Sequence, residues 1–143
     1  MQNKPAIQTG ASFTFKKGER LCSLKEIEKL FTEGESFLSF PIKVVYLKTE
    51  FNSPFSALAG FSVSKKSFKR AVRRNRLKRL MRETYRLQKH EFYQQLGDQH
   101  LTVFFIYVGK QMTNYSVVEN AMKKALKRII KQIHGDTLPK EFQ

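Results

Sequence analysis

Apolar residues recur at three- and four-residue intervals in three stretches of this 143-residue chain, and in short alternating or continuous runs in three others. Ser23-Leu-Lys-Glu26 has the form of a capping box, in which the first hydroxyl and the last carboxylate satisfy each other's backbone N–H. After it Leu24, Ile27, Leu30 and Phe31 keep helical spacing and Gly34 supplies a stop, so a helix is predicted over 24–33. Pro41 to Lys48 reads as a strand, with Ile42, Val44 and Tyr46 on one face and Lys43, Val45 and Leu47 on the other. Lys48–Pro54 is polar and carries the turn signal Asn-Ser-Pro. Phe55–Ser64 reads as a second strand, with Ala59, Phe61 and Val63 on one face and Ser62 and Ser64 on the other. The two runs are close enough in sequence to form a hairpin.

A longer helix is predicted over 71–90, where Leu77, Leu80, Met81, Thr84 and Leu87 form a stripe. Wound at about 100° per residue, Asn75, Lys78, Arg79, Arg82 and Arg86 fall on the opposite arc. Gln94–His100 is a polar connection. Leu101–Val108 is nearly all apolar, β-branched or aromatic, which suits a central strand buried on both faces. Ser116-Val-Val-Glu119 is a second capping-box pattern. It precedes a helix with Val118, Ala121, Met122, Ala125, Leu126, Ile129, Ile130 and Ile133 inside and Lys123, Lys124, Lys127, Arg128 and Lys131 outside.

The order α-β-β-α-β-α leaves room for one more short strand, near Phe13–Phe15 or between Gly34 and Pro41. Helices interleaved with strands bury these faces most simply as an α/β (α+β) two-layer sandwich. The chain divides into a flexible polar arm over 1–12, a single domain over 13–134 and a flexible tail over 135–143. With 41% apolar residues, 13 Phe and 5 Tyr, the domain can bury a small core.

Charge changes the picture. The net charge is +15, from 27 Lys and Arg against 12 Asp and Glu. Ten of those cations lie between Lys65 and Arg82, a stretch with no Asp or Glu. They are Lys65, Lys66, Lys69, Arg70, Arg73, Arg74, Arg76, Lys78, Arg79 and Arg82, and such a cluster displaces counterions from a nucleic acid. Arginine predominates, and its planar fork suits phosphates and base edges. Asn75 in the middle either contacts RNA or satisfies local backbone near the helix start. The lysines of the last helix read as a solvated face. Phe104, Phe105 and Tyr107 read as core; Phe31 and Phe37 are candidates for stacking on bases, with core the favoured place for each.

Candidate catalysis is absent from the pattern. His90, His100 and His134 have no partner at metal-ligand spacing, and the 7 Gly are scattered singly. Cys22 is alone, which rules out an intrachain disulfide and a cysteine-based metal site. No apolar run approaches the ~18 residues of a membrane span, and the first ten residues lack the apolar centre of a secretory signal. A cytoplasmic protein with no membrane partner and no small-molecule cofactor is the expectation.

The sequences SVSKK (Ser62–Lys66) and AVRRNRLKRLMRE (Ala71–Glu83), with KKGERLCSLKEIEKLFTEG (Lys16–Gly34) before them, resemble the protein subunit of bacterial ribonuclease P. The resemblance spans roughly residues 13–133. It implies a ribosomal protein S5 domain 2-like fold with a left-handed βαβ crossover, opposite to the general rule for such units. It also implies a role as the protein subunit of an endoribonuclease that removes the 5′ leader of precursor tRNA and leaves the mature 5′ end. The partners would be ribonuclease P RNA and precursor tRNA, with the active site and its Mg²⁺ ions in the RNA subunit. By position Arg74, Asn75, Arg76, Lys78, Arg79 and Arg82, with Lys65 and Lys66, inherit contact with that RNA. Ile27, Phe31, Lys43 and Val45 inherit the cleft for the single-stranded leader. Three departures stand out. Ile27 is aliphatic where the family is commonly aromatic, and Val45 stands where some members have Tyr. The link Ser67-Phe68-Lys69-Arg70 is about one residue longer than usual and has no glycine, with Phe68 expected in the core. The competing readings are a non-catalytic RNA-binding ribosomal or assembly protein of the same fold, and a DNA-binding regulator that lays the 71–90 helix in a major groove.

Overall fold

In a computed structural model, residues 14–50 and 54–135 are described. The expected arm over 1–12, most of the expected tail over 135–143 and part of the Lys48–Pro54 turn lie outside them. Three helices, α1 (Leu24–Glu33), α2 (Ala71–Leu96) and α3 (Tyr115–Gly135), accompany four strands: β1 (Glu35–Ser39), β2 (Ile42–Lys48), β3 (Ala57–Val63) and β4 (Leu101–Tyr107). The strands form one sheet in the order β1-β2-β4-β3.

This order corrects one sequence reading. The strands at 42–48 and 57–63 do not form a hairpin: β4 lies between them, antiparallel to β2 and parallel to β3. The hairpin partner of β2 is β1, the additional strand allowed between Gly34 and Pro41. The reason lies in composition. Alternating Val44, Tyr46, Ala59 and Phe61 do not need each other, whereas the continuously apolar β4 requires a neighbour on both sides. Thr102, Val103 and Phe105 are fully or almost fully buried, as a central strand demands.

α2 and α3 cover one face of the sheet. There Ile42, Val44, Tyr46, Ala59, Val63, Val103 and Phe105 meet Leu77, Met81 and Tyr85 of α2 and Val118, Met122 and Ile129 of α3. The other face carries a smaller cluster of Leu21, Leu30 and Val45, with Ile27, Leu47, Leu58, Phe104 and Ile106 packed against it. α1 closes only part of that face.

α1 begins and ends where expected: Ser23 Oγ accepts from the N–H of Glu26 at 3.3 Å, and Gly34 follows as C-cap. At Gly34 a side chain is excluded by close approach, since a Cβ would lie 2.4 Å from the Leu30 carbonyl oxygen and 2.8 Å from that of Tyr46. α2 extends six residues beyond the predicted His90, because Phe92 and Leu96 continue the buried stripe and Gly97 (φ +61°) ends it. Leu87 leaves that stripe and is 46% exposed. Its place is taken by Tyr85 and Lys89. α3 begins one residue before Ser116, and Asn114 Oδ1, not Ser116, accepts from the N–H of Val117 at 3.2 Å.

The burial of Lys89 has a cause. Its Nζ lies 2.6 and 2.8 Å from the two carboxylate oxygens of fully buried Glu19 and donates to the Thr14 carbonyl at 2.6 Å. Tyr93 donates to Glu19 Oε1 at 2.8 Å and the N–H of Lys16 to Glu19 Oε2 at 2.7 Å. Charges taken from water need this many partners. The network docks the segment Thr14–Arg20, including a 3-10 turn at Lys17–Glu19, on α2. Leu21 N–H then bonds the Ala59 carbonyl at 2.9 Å on the free edge of β3.

Candidate nucleic-acid interface

Two surfaces carry the sequence-predicted site residues. The first starts where β3 ends. Ser64 Oγ accepts from the N–H groups of Lys66 (3.2 Å) and Ser67 (3.4 Å), and Phe68 N–H bonds the Ser64 carbonyl at 3.1 Å. These bonds turn the chain without a glycine. Phe68, 5% exposed, anchors the turn in the core, its ring edge-on to Tyr107 with centroids 5.9 Å apart. The longer link is thereby a built feature, and its cations Lys65, Lys66, Lys69 and Arg70 all stay exposed.

α2 opens at Ala71 without a side-chain cap. Arg73, Asn75, Arg76 and Arg79 are exposed, while Arg74, Lys78 and Arg82 are half-buried. Among the described residues none of these cations enters a salt bridge. Asn75 forms no side-chain hydrogen bond to another described residue, so the local-backbone reading of Asn75 is not what the structure shows. Arg74 differs from its neighbours. Its Nη1 donates to the carbonyls of Phe68 at 2.7 Å and Lys69 at 2.8 Å, which fixes the link. Arg86, placed on the basic arc by periodicity, is instead paired with Glu83 at 2.5 Å. The hydrogen bond from Arg86 holds the Glu83 carboxyl below the usual carboxylate range.

The second surface is the open part of the sheet face beneath α1. Register places Lys43 opposite Ile106 and Val45 opposite Phe104. On the far side of β4, Phe104 is level with Gly60, and Ile106 with Ser62. Val45 is only 5% exposed and forms the floor, while Lys43 reaches solvent. Ile27 is half-buried against the floor. Phe31 is 49% exposed and leans over Phe104, ring centroids 5.4 Å apart and planes inclined at 56°. The Phe104 ring lies where a side chain at position 60 would be: a Cβ on Gly60 would come within 2.6 Å of it. The four predicted cleft residues are thus brought to one face, with Phe104 and Ile106 in addition.

Sequence reasoning assigned Phe104 to the core. The alternation within LTVFFIYV already separates Thr102, Phe104 and Ile106 from Val103, Phe105 and Tyr107, and that was the available signal. Phe37, the other stacking candidate, is core: it is 8% exposed and covered by the Arg128 guanidinium 4.5 Å from its centroid. Among the described residues no three His, Cys, Asp or Glu side chains come together as metal ligands. No helix of the described residues is long and apolar enough to cross a membrane. β3 and not a second helix precedes α2, so the major-groove reading lacks its helix-turn-helix pair.

Comparison with known proteins agrees with this geometry. The family model described as Ribonuclease P matches residues 15–130. The ribonuclease P protein component of Porphyromonas gingivalis is 40% identical over 134 residues, covering 92% of this chain and 97% of that protein. The corresponding protein of Chlorobium phaeobacteroides is 31% identical, over 81% of this chain and 88% of its own length. Among solved structures, the ribonuclease P protein of Thermotoga maritima superposes with a TM-score of 0.62 at 25% identity, covering 77% of this chain and 96% of that one. That of Staphylococcus aureus shares the fold, with a TM-score of 0.64 at 20% identity over 78% of this chain and 94% of its own.

Proposed function

The chain belongs to the ribonuclease P protein family, and from that premise we propose a division of labour between its two surfaces within the holoenzyme that removes the 5′ leader of precursor tRNA. The exposed cations from Lys65 to Arg82 dock on the phosphate backbone of the RNA subunit. The face beneath α1, with Phe31, Phe104, Ile27 and Lys43, receives the single-stranded leader. Unpaired bases present π-faces to aromatic side chains whatever their sequence, and Lys43 stands beside them to meet a phosphate. In this reading phosphodiester hydrolysis belongs to the RNA subunit, which holds the Mg²⁺, and the chain contributes binding and orientation in the cytoplasm.

The observation that carries the proposal is the run of ten cations without a carboxylate on one turn and one helix, all but Arg74 without a side-chain hydrogen-bond partner and none in a salt bridge among the described residues. Reconstitution tests it. Full-length protein added to a cognate bacterial ribonuclease P RNA should restore leader cleavage at low Mg²⁺ and raise affinity for leader-bearing tRNA, while the protein alone cleaves nothing. No gain over the RNA alone would overturn it.

A further inference from the structure

The +15 net charge divides unevenly along the chain. Ten of the 27 cations lie on Lys65–Arg82 and five on Lys123–Lys131 of α3, and neither segment holds an acidic residue. The remaining 12 cations are offset by the 12 Asp and Glu. Outside these two segments the chain is electrically balanced.

The α3 segment is built as a surface. Lys123, Lys124, Lys127, Arg128 and Lys131 are all exposed, opposite buried Met122, Ala125, Leu126 and Ile129. Among the described residues none of the five enters a salt bridge. Glu91 of α2 lines the same groove as Lys123 and Lys127 and pairs with neither. The spacings 123–127, 127–131 and 124–128 set like charges one turn apart, which weakens an isolated helix. A solvated surface ordinarily intersperses both signs, and this face carries one. Arg128 is further held by its stack on Phe37 of β1. α2 and α3 form one layer on the same side of the sheet, whereas α1 and the leader face lie on the other.

We propose that the α3 face is a second docking surface for the RNA subunit, gripping the phosphate backbone of a part of that RNA distinct from the one held by Lys65–Arg82. The inference rests on the proposed function. A folded RNA large enough to meet α2 meets the neighbouring α3 on the same layer, and five exposed cations with no salt bridge among the described residues complement its backbone.

The test is binding of the full-length protein to ribonuclease P RNA as a function of KCl. The variant K123Q/K124Q/K127Q/K131Q, which keeps Arg128 on Phe37, should bind at least tenfold more weakly at low salt. Its log–log salt slope should be shallower by about two to three, at roughly 0.9 per lost phosphate contact. Its melting temperature should equal or exceed that of the parent. A charge-matched variant, K17Q/K25Q/K48Q/K110Q, should keep the parental slope. Equal slopes for the parent and the α3 variant, or equal losses in the two quadruple variants, would overturn the inference. So would a loss confined to phosphatidylglycerol vesicles, which would mark α3 as a membrane contact. An R76A/K78A/R79A variant separates the two readings. If it loses RNA binding while the α3 variant does not, the function stands and the second surface fails. If the parent itself shows no salt-dependent binding, the proposed function fails first.

Discussion

Arg74 Nη1 donates to the Phe68 and Lys69 carbonyls, whereas Arg76, two residues on, is exposed and makes no salt bridge among the described residues. Replacing each with Ala should therefore separate stability from binding. Arg74→Ala should cost about 1.5–3 kcal/mol in urea unfolding, the usual worth of a charge-assisted hydrogen bond. Arg76→Ala should leave stability within ~0.5 kcal/mol and reduce the salt slope of RNA binding by about one. Position in the Arg-Asn-Arg motif was legible in sequence. The partition of duty within it was not, because it depends on where the link carbonyls turn. The same holds for Glu19 and Lys89, seventy residues apart in sequence and buried at 0% and 3% exposure. Glu19→Ala would strand a buried ammonium and should cost about 3–5 kcal/mol, while Glu19→Leu with Lys89→Met should recover much of that loss. A double variant no more stable than the single one would show that the pair is not coupled.

At the scale of elements, α1 has to end abruptly for β1 to begin. Gly34 makes this possible because its Cα approaches two carbonyl oxygens, and Gly34→Ala should destabilise by about 2 kcal/mol or more through backbone displacement. Phe31 on the same helix is the converse case. Half-exposed over Phe104, it can be removed with little loss of packing. Phe31→Ala should thus melt within a few degrees of the parent and lose about tenfold in preference for leader-bearing over mature tRNA, the worth of one stacked base. Unfolding of this variant would instead make Phe31 a core residue. Boundaries of α1 could be read from Ser23, Glu26 and Gly34 because caps are local chemistry. The end of α2 was missed because its last turns are held by Phe92 and Leu96 packing into the distant sheet, with a charged Lys89 in the stripe between them.

Across the whole molecule, tyrosine hydroxyls tie distant segments together: Tyr93 bonds Glu19, and Tyr46 bonds Gln132 of α3. Burial pushes the hydroxyl pKa of Tyr85 and of Tyr93 upward, so the folded state keeps their protons more tightly than the unfolded chain does. Their contribution is complete below the unfolded tyrosine value of about 10 and is lost as pH rises past it, by up to ~1.4 kcal/mol per pH unit for each. The urea midpoint should accordingly drop between pH 9 and pH 11, and a flat profile would contradict the burial of these hydroxyls. The fold class followed from the order of periodic segments; the strand order did not, because hydrophobic pattern fixes faces and leaves neighbours open. That order has a consequence for how the protein is made. Among the described strands β3 pairs with β4 alone, and β4 also supplies Phe104 to the sheet face beneath α1. Synthesis runs from the first residue onward, so the strongly cationic segment is made before the strand that organises its anchor. A fragment ending at His100 should show no cooperative unfolding and no preference for leader-bearing tRNA, and both should appear only once the chain extends through α3. The protein is thus completed from its last third, and its cationic turn and helix wait, already synthesised, for the strand that sets them in place.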